Sequence, residues 1–265
     1  KQGRLTLANR IYLINCYSLL ERTCQAKTVE NLKLLLAFEN EKSEPVWGAM
    51  AGLIGSVRRL VFDTPADTAA KQFQDRLVKS VVDDIGWNKN AADDVHTLRL
   101  RELALELAVA AENQPIIEEA LRRFAKLRRP NDVSSDIRGA VYFAAARFGT
   151  GEEFNKLLEI YMKTSVSEEK EELCRGLTTT KDSQQIGRLI ELLKGTEIRL
   201  QDLPAWFAHL ISNPYAKAQT WQWLSDNWQW LDKNFSASGL LERFPRYCGM
   251  AFSRADDLKL YKNFF

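Results

Sequence analysis

The sequence predicts an all-α chain, a solenoid of helix pairs coiled into an α-α superhelix, and three observations lead there. Apolar residues return at steps of three and four, as in Phe154, Leu157, Leu158 and Tyr161, in Ile186, Leu189, Ile190 and Leu193, and through the leucines of residues 98–107. That is the period of a helix with one buried face. No run joins β-branched residues, strict alternation and flanking turns, which a strand requires. Turn formers also punctuate the chain at intervals of about 30 to 37 residues, the repeat length of stacked helix pairs.

The elements follow in order. Up to about residue 90 the helices are longer and the repetition less clear, with breaks at Asp63-Thr64-Pro65-Ala66-Asp67 and Gly86-Trp87-Asn88-Lys89-Asn90. Beyond that, helices open at Asn113-Gln114-Pro115, Gly149-Thr150-Gly151, Lys181-Asp182-Ser183 and Asn213-Pro214. Each segment supplies an N-cap or turn former ahead of an amphipathic stretch. Partner helices fall between them, over about 93–112, 134–148, 168–179 and 201–212. Two short helices and a turn cannot close a core alone, so neighbouring units must stack, as in HEAT/armadillo-like repeats. No Pro/Ser/Gly-rich linker divides the chain, which reads as a single helical domain over 1–265.

Composition narrows the partners. The 37 basic and 35 acidic side chains leave a net charge of +2, without the basic excess that phosphate binding requires, so nucleic acid is not an expected partner. The cluster Arg122, Arg123, Lys126, Arg128 and Arg129 is the one local exception, and a charge run of this kind is ordinarily a solvated helix face. No apolar run reaches the roughly 18 residues of a membrane span. The four cysteines form no C-x-x-C pair and lie in helical or apolar stretches, which predicts buried free thiols and a reducing, cytoplasmic compartment. A secreted or lumenal parent is the alternative. The chain opens with Lys1 and has no signal-peptide pattern, so it reads as a piece of a longer polypeptide.

Catalytic chemistry is missing from the sequence. There are two histidines, His96 and His209, and neither belongs to an H-E-x-x-H or has an acidic residue three positions on. His96 is expected near a helix start and His209 at a helix groove, both in structural roles. There is no G-x-S-x-G elbow, P-loop or G-x-G-x-x-G, and Asp83-Asp84 and Glu168-Glu169 read as caps or solvated faces. No metal or other cofactor is expected in this chain. Trp221, Leu224, Trp228 and Leu231 keep a helical spacing and predict one buried stripe, with Trp223 and Trp230 as a second.

Several segments, taken together, resemble a known family. Leu7-Ala8-Asn9-Arg10-Ile11-Tyr12-Leu13 and onward to Leu19 resembles the D-R-x-x-L-x-x-D-x-x-x-L helix opening the C-terminal domain of zinc aminopeptidases of the aminopeptidase N, puromycin-sensitive and endoplasmic-reticulum type. Residues 27–35 are similar to its second helix, and Glu44-Pro45-Val46-Trp47 to its P/V-W turn. Asp136-Ile137-Arg138-Gly139-Ala140-Val141-Tyr142, the stretch from Glu168 to Asp182, and Asn213-Pro214 with Trp221, Leu224, Asn227 and Trp228 extend the likeness over nearly the whole chain. Asn9 and Asn15 stand where the family has acids. Gly48-Ala49-Met50 is similar to the start of the G-A-M-E-N motif, but Ala51-Gly52 follow it, and it counts as coincidence.

The resemblance implies a non-catalytic C-terminal domain whose catalytic part, with its zinc, lies elsewhere in the same polypeptide. In that role it would wall a peptide chamber and control access to the active site, with peptides and the catalytic domain as its partners. Arg10, Arg138 and Tyr142 are then the candidate cavity-facing groups, since such side chains engage carboxylates. The competing assignment for them is to bond helix-end carbonyls. For the whole chain, the competing assignment is a free-standing HEAT-like scaffold for protein partners. Trp47, followed by the small residues Gly48, Ala49 and Gly52, is expected to anchor the first helices.

Overall fold

The computed structural model describes residues 5–265. Every regular element among them is helical. The helices are α1 (Leu7–Arg22), α2 (Thr28–Leu36), α3 (Glu44–Val61), α4 (Asp67–Ile85), α5 (Val95–Ala110), α6 (Gln114–Ala125), α7 (Ser135–Phe148), α8 (Gly151–Lys163), α9 (Ser167–Leu177), α10 (Ser183–Leu192), α11 (Leu203–Ser212), α12 (Lys217–Asp226), α13 (Trp228–Phe235), α14 (Arg243–Ala251) and α15 (Ala255–Phe264). The expected partner helices appear as α5, α7, α9 and α11, with ends within a few residues of the sequence-based limits. The punctuation works as capping chemistry. Asp94 accepts from the Thr97 backbone at 2.8 Å, Asp182 accepts from Gln184 and Gln185, and Thr150 forms a capping box with Glu153.

The chain divides into two compact units, where the sequence shows no linker. The first comprises the residues up to Glu119 together with Val133–Ala140; the second comprises Ala120–Asp132 and Val141–Phe265. The three boundaries fall within α6, just ahead of α7 and within α7, so composition carries no trace of them.

In the first unit α3 is the central element, packing against α1, α2, α4 and α5. Val46, Trp47 and Met50 are fully buried on it. Gly48-Ala49-Met50 therefore lies inside a core helix, consistent with its likeness to a substrate-binding motif being accidental. α4 and α5 pack closely along their lengths. Arg101 of α5, fully buried, donates to Asp136 and Asp93 at 2.6 Å each and to the Gly86 carbonyl at 3.2 Å. Burial opposes the Arg101 charge, and its two carboxylate partners more than offset this, raising its pKa. This ion triad fixes the α4–α5 turn and the start of α7.

In the second unit α11 is central, packed on α9, α12 and α14. Phe207 of α11 meets Phe244 at 5.0 Å between ring centres, and Trp206 meets Tyr161 edge-on at 5.1 Å. The turn after α9 is held by side chains from elsewhere: Asn213 donates to the Thr178 and Thr180 carbonyls at 2.8 and 2.7 Å, and Arg147 to Thr179 at 3.2 Å. α7 and α9 approach so closely at Gly176 that a methyl group there would come 2.6 Å from the Cβ of Tyr142.

The tryptophan segment departs from the sequence expectation. It is not one helix, because Asn227 ends α12 and precedes α13, and it folds its side-chain amide back onto the Trp223 carbonyl at 2.7 Å. Trp221 and Trp228 nevertheless meet through the end of α15, each packing edge-on against Phe264 and Phe265. The cysteines are also corrected. All four are free, but only Cys174 and Cys248 are buried; Cys16 is partly covered and Cys24 is exposed, in a turn with φ of 58°.

Candidate functional site

Arg10, on the inner side of α1, reaches Glu41 at 2.6 Å, and the Glu41 side chain is 3% exposed. The same carboxylate accepts from the backbone N–H groups of Lys42 and Ser43 at 2.9 Å each, and the Glu41 carbonyl accepts from the Trp47 indole at 2.8 Å. Arg10 thereby orders the turn that feeds α3. Arg138 is 7% exposed and donates through both Nε and a terminal nitrogen to the Val133 carbonyl at 3.3 Å. That carbonyl precedes α7, so this bond is of the helix-end type. Tyr142, one turn further along α7, is fully buried under α9 at Gly176.

A different set of side chains lines a polar groove within the second unit. Its volume is about 320 Å³, and α8, α9, the 199–202 segment and α11 form its walls. None of Arg10, Arg138 or Tyr142 lines it. Tyr161 and Trp206 form the floor; the indole N–H donates to the tyrosine hydroxyl at 3.2 Å. The Lys170 ammonium lies over the Tyr161 ring at 4.5 Å from its centre. Arg199 and Asp202 pair at 2.6 Å at one side, with Ser167 accepting from Arg199 at 3.3 Å. His209 faces the groove, as its sequence position suggested, and burial followed by the nearby Arg175 charge pushes its pKa down to about 4.

Burial lifts the Cys174 thiol well above its ordinary value and the Tyr161 phenol up to about 12, so neither ionises near neutrality. The neutral imidazole, the ammonium and the carboxylates of Glu171 and Asp202 offer donors and acceptors around an aromatic floor. Among the described residues, no group of three or more His, Cys, Asp or Glu is placed to hold a metal ion. His96 is exposed, and its Nδ1 sits 3.4 Å from Glu44. A second cavity, in the first unit, is almost wholly apolar, about 370 Å³ in volume, and lined by Val29, Leu32, Ile54, Val57, Val61 and Phe73 among others.

Sequence reasoning missed Lys170, Tyr161, Trp206 and Arg199 as one cluster, because they come from three helices and a connecting segment. The periodicity identified Tyr161 as a core residue but carried nothing about what would lie across from it.

Comparison with known proteins completes the description. The family model of the ERAP1-like C-terminal domain matches residues 1–265. Aminopeptidase N of Lactobacillus helveticus is 26% identical over 261 residues, covering 97% of this chain and 31% of that protein. Aminopeptidase M1-B of Oryza sativa subsp. japonica is 25% identical over 274 residues, 100% of this chain and 31% of that protein. Puromycin-sensitive aminopeptidase of Caenorhabditis elegans is 24% identical over 270 residues, 99% of this chain and 28% of that protein. The chain thus spans about three-tenths of the length of the relatives it matches.

Proposed function

Because the chain belongs to the ERAP1-like C-terminal domain family over its whole length, we propose that it is the non-catalytic C-terminal part of a zinc-dependent aminopeptidase. In this reading it walls the chamber that receives peptides and controls access to an active site carried by the catalytic domain of the same polypeptide. One observation carries the reading: the entire chain matches a fixed portion, about three-tenths, of proteins named as aminopeptidases. Zinc would sit in the catalytic part, whose chemistry it would supply as a Lewis acid; the present residues contribute no ligand.

The groove over Tyr161 and Trp206 suits the chamber role. A peptide laid there meets the Lys170 ammonium, the neutral His209 and an aromatic surface, so backbone carbonyls and apolar side chains both find partners. Contacts away from the scissile bond position a substrate and spend binding energy on orientation. Arg10 holds the turn that feeds α3, and Arg138 the segment that leads into α7. The exposed thiol of Cys24, unpaired in a surface turn, fits a reducing, cytoplasmic setting, and among the described residues no helix is long and apolar enough to cross a membrane.

The test uses the full polypeptide. It is expected to hold one zinc per chain and to release amino-terminal residues from peptides about ten residues long. Lys170→Ala is expected to raise KM for such peptides several-fold while leaving turnover of an aminoacyl anilide unchanged, because the small substrate does not reach the groove. A polypeptide with no metal and no peptidase activity would leave the free-standing scaffold as the better description. Equal effects of Lys170→Ala on both substrates would remove the groove from the chamber wall.

A further inference from the structure

Between Leu121 and Asn131 the chain carries five basic residues and no acid, although the two kinds of charge nearly balance overall. The fold splits this run in two. Arg122 and Arg123 belong to the last turn of α6, where cations offset the negative end of a helix. Lys126, Arg128 and Arg129 lie beyond the helix and are exposed, Arg129 to 79% of its side chain. They are therefore not the solvated helix face that the sequence run suggests.

The turn that displays them is fixed. One oxygen of Asp132 accepts from the backbone N–H groups of Arg128 and Arg129, at 2.9 and 3.1 Å, and the other from the Arg129 side chain at 3.3 Å. The nearest acid in sequence is thus held by the turn itself. α8 brings a fourth cation to the same place: the Lys156 ammonium lies over the Phe124 ring of α6, 5.1 Å from its centre. The acids one turn away on α8 are engaged locally, Glu153 in the capping box with Thr150 and Glu159 with Lys163. All these residues belong to the second unit.

The surroundings say what kind of anion fits. None of these cations lines the Tyr161 groove. They come from a turn and a neighbouring helix, an open array that suits several separated charges better than one enclosed anion. Among the described residues, no large hydrophobic side chain is exposed between Val95 and Met162. The run therefore has nothing to sink into a lipid layer. Nor has it an aromatic face for a nucleic-acid base, since Phe124 is 1% exposed beneath Lys156. The overall charge of +2 supplies no wider field to hold a phosphate polymer. A peptide segment with several carboxylates meets these conditions, because an arginine fork binds each through two parallel hydrogen bonds and a lysine binds it as a point charge.

We propose that the turn after α6, with Lys126, Arg128 and Arg129, and Lys156 of α8 form a docking surface for an acidic segment of a partner protein, one carrying several aspartates or glutamates in succession. The turn is ordered before the partner arrives, so little ordering on this side opposes binding. Each exposed pair contributes only about two- to fivefold in affinity, and three or four of them multiply to about tenfold or more. Binding should weaken as salt rises, because the pairs stay close to water.

The test is a fluorescence-polarisation titration of the full polypeptide with a labelled, acetylated peptide of alternating glutamate and glycine, about ten residues long, and with its glutamine counterpart. Acetylation leaves no free amino terminus to be cleaved. The glutamate peptide is expected to bind at least about tenfold more tightly than the glutamine peptide at low salt. Lys126→Glu, Arg128→Glu and Arg129→Glu combined should abolish that preference. Glutamine at the same three positions should remove most of it, and gives the answer if the reversed variant folds poorly. Lys233→Glu, Lys259→Glu and Lys262→Glu combined make the same change of charge at exposed sites of the same unit, and should bind as wild type. Equal binding of the two peptides, an unaffected patch variant, or an equal loss in the control would each overturn the proposal. So would tighter binding to phosphatidylserine vesicles or to an oligothymidylate than to the glutamate peptide, which would assign the surface to a membrane or to nucleic acid.

Discussion

Trp47 offers the sharpest test of how the first unit is held together. Its side chain is fully buried on α3, beside Val46 and Met50, and its indole N–H donates to the Glu41 carbonyl at 2.8 Å. Glu41 in turn binds Arg10 of α1, so one side chain joins the packing of α3 to the ion pair that tethers α1. Trp47→Ala removes a buried surface of about 150–250 Å², which at about 25 cal/mol per Å² is worth about 4–6 kcal/mol, an upper limit because unfolded chains are partly collapsed. Measured losses for large-to-small changes of this size are about 3–5 kcal/mol. Trp47→Phe keeps most of the surface but leaves the Glu41 carbonyl without its donor, at a cost of about 1–3 kcal/mol. The two substitutions therefore separate packing from hydrogen bonding. Urea denaturation followed by far-ultraviolet circular dichroism gives both values. Hydrogen exchange then locates the loss, which should fall in α1 and α3 and leave α11 unchanged. An unchanged midpoint for Trp47→Ala would refute the anchor. A Phe variant as unstable as the Ala variant would show that the hydrogen bond, and not the packing, dominates.

Three further outcomes follow from other sites. Arg101→Ala should destabilise the first unit by about 3–5 kcal/mol, because Asp136 is left buried without its cation; Arg101→Met with Asp136→Leu should recover much of this, and a mild Arg101→Ala would show that water replaces the guanidinium. His209 is neutral when folded and titrates at about 4, below its ordinary value of 6.5, so the unfolded chain binds the extra proton between those values. Stability should therefore fall as pH drops from 6.5 towards 4, by up to about 3 kcal/mol, and His209→Gln should flatten that part of the profile relative to wild type. Gly176→Ala should cost about 1–3 kcal/mol, since the new methyl meets the Tyr142 Cβ and backbone. Gly139→Ala should cost less, since the group it meets first is the mobile carboxylate of Glu106, and equal denaturation midpoints for the two variants would refute the reasoning.

Periodicity and capping chemistry were enough to establish the helical class and to place α5, α7, α9 and α11, because both depend on residues within one or two turns of each other. Trp47 as a buried side chain was legible too, since a large aromatic ring in an apolar helix seldom stays in water. The order of weak motifs carried the family. Tertiary structure decided the rest. The resemblance named Arg138 and Tyr142 as candidates, but only the packing shows that Arg138 donates to the Val133 carbonyl and that Tyr142 lies buried at Gly176. Asn227 interrupts the stretch that the tryptophan spacing had drawn as continuous, ending α12 and preceding α13 with its amide donating to the Trp223 carbonyl. The groove of Tyr161, Lys170, Trp206 and His209 gathers residues up to 48 positions apart, and the buried triad of Arg101 draws its acids from either side. A local pattern fixes which face of a helix is apolar; which polar side chains then meet across the gap depends on how helices pack, and packing is decided by contacts that no short stretch of sequence contains.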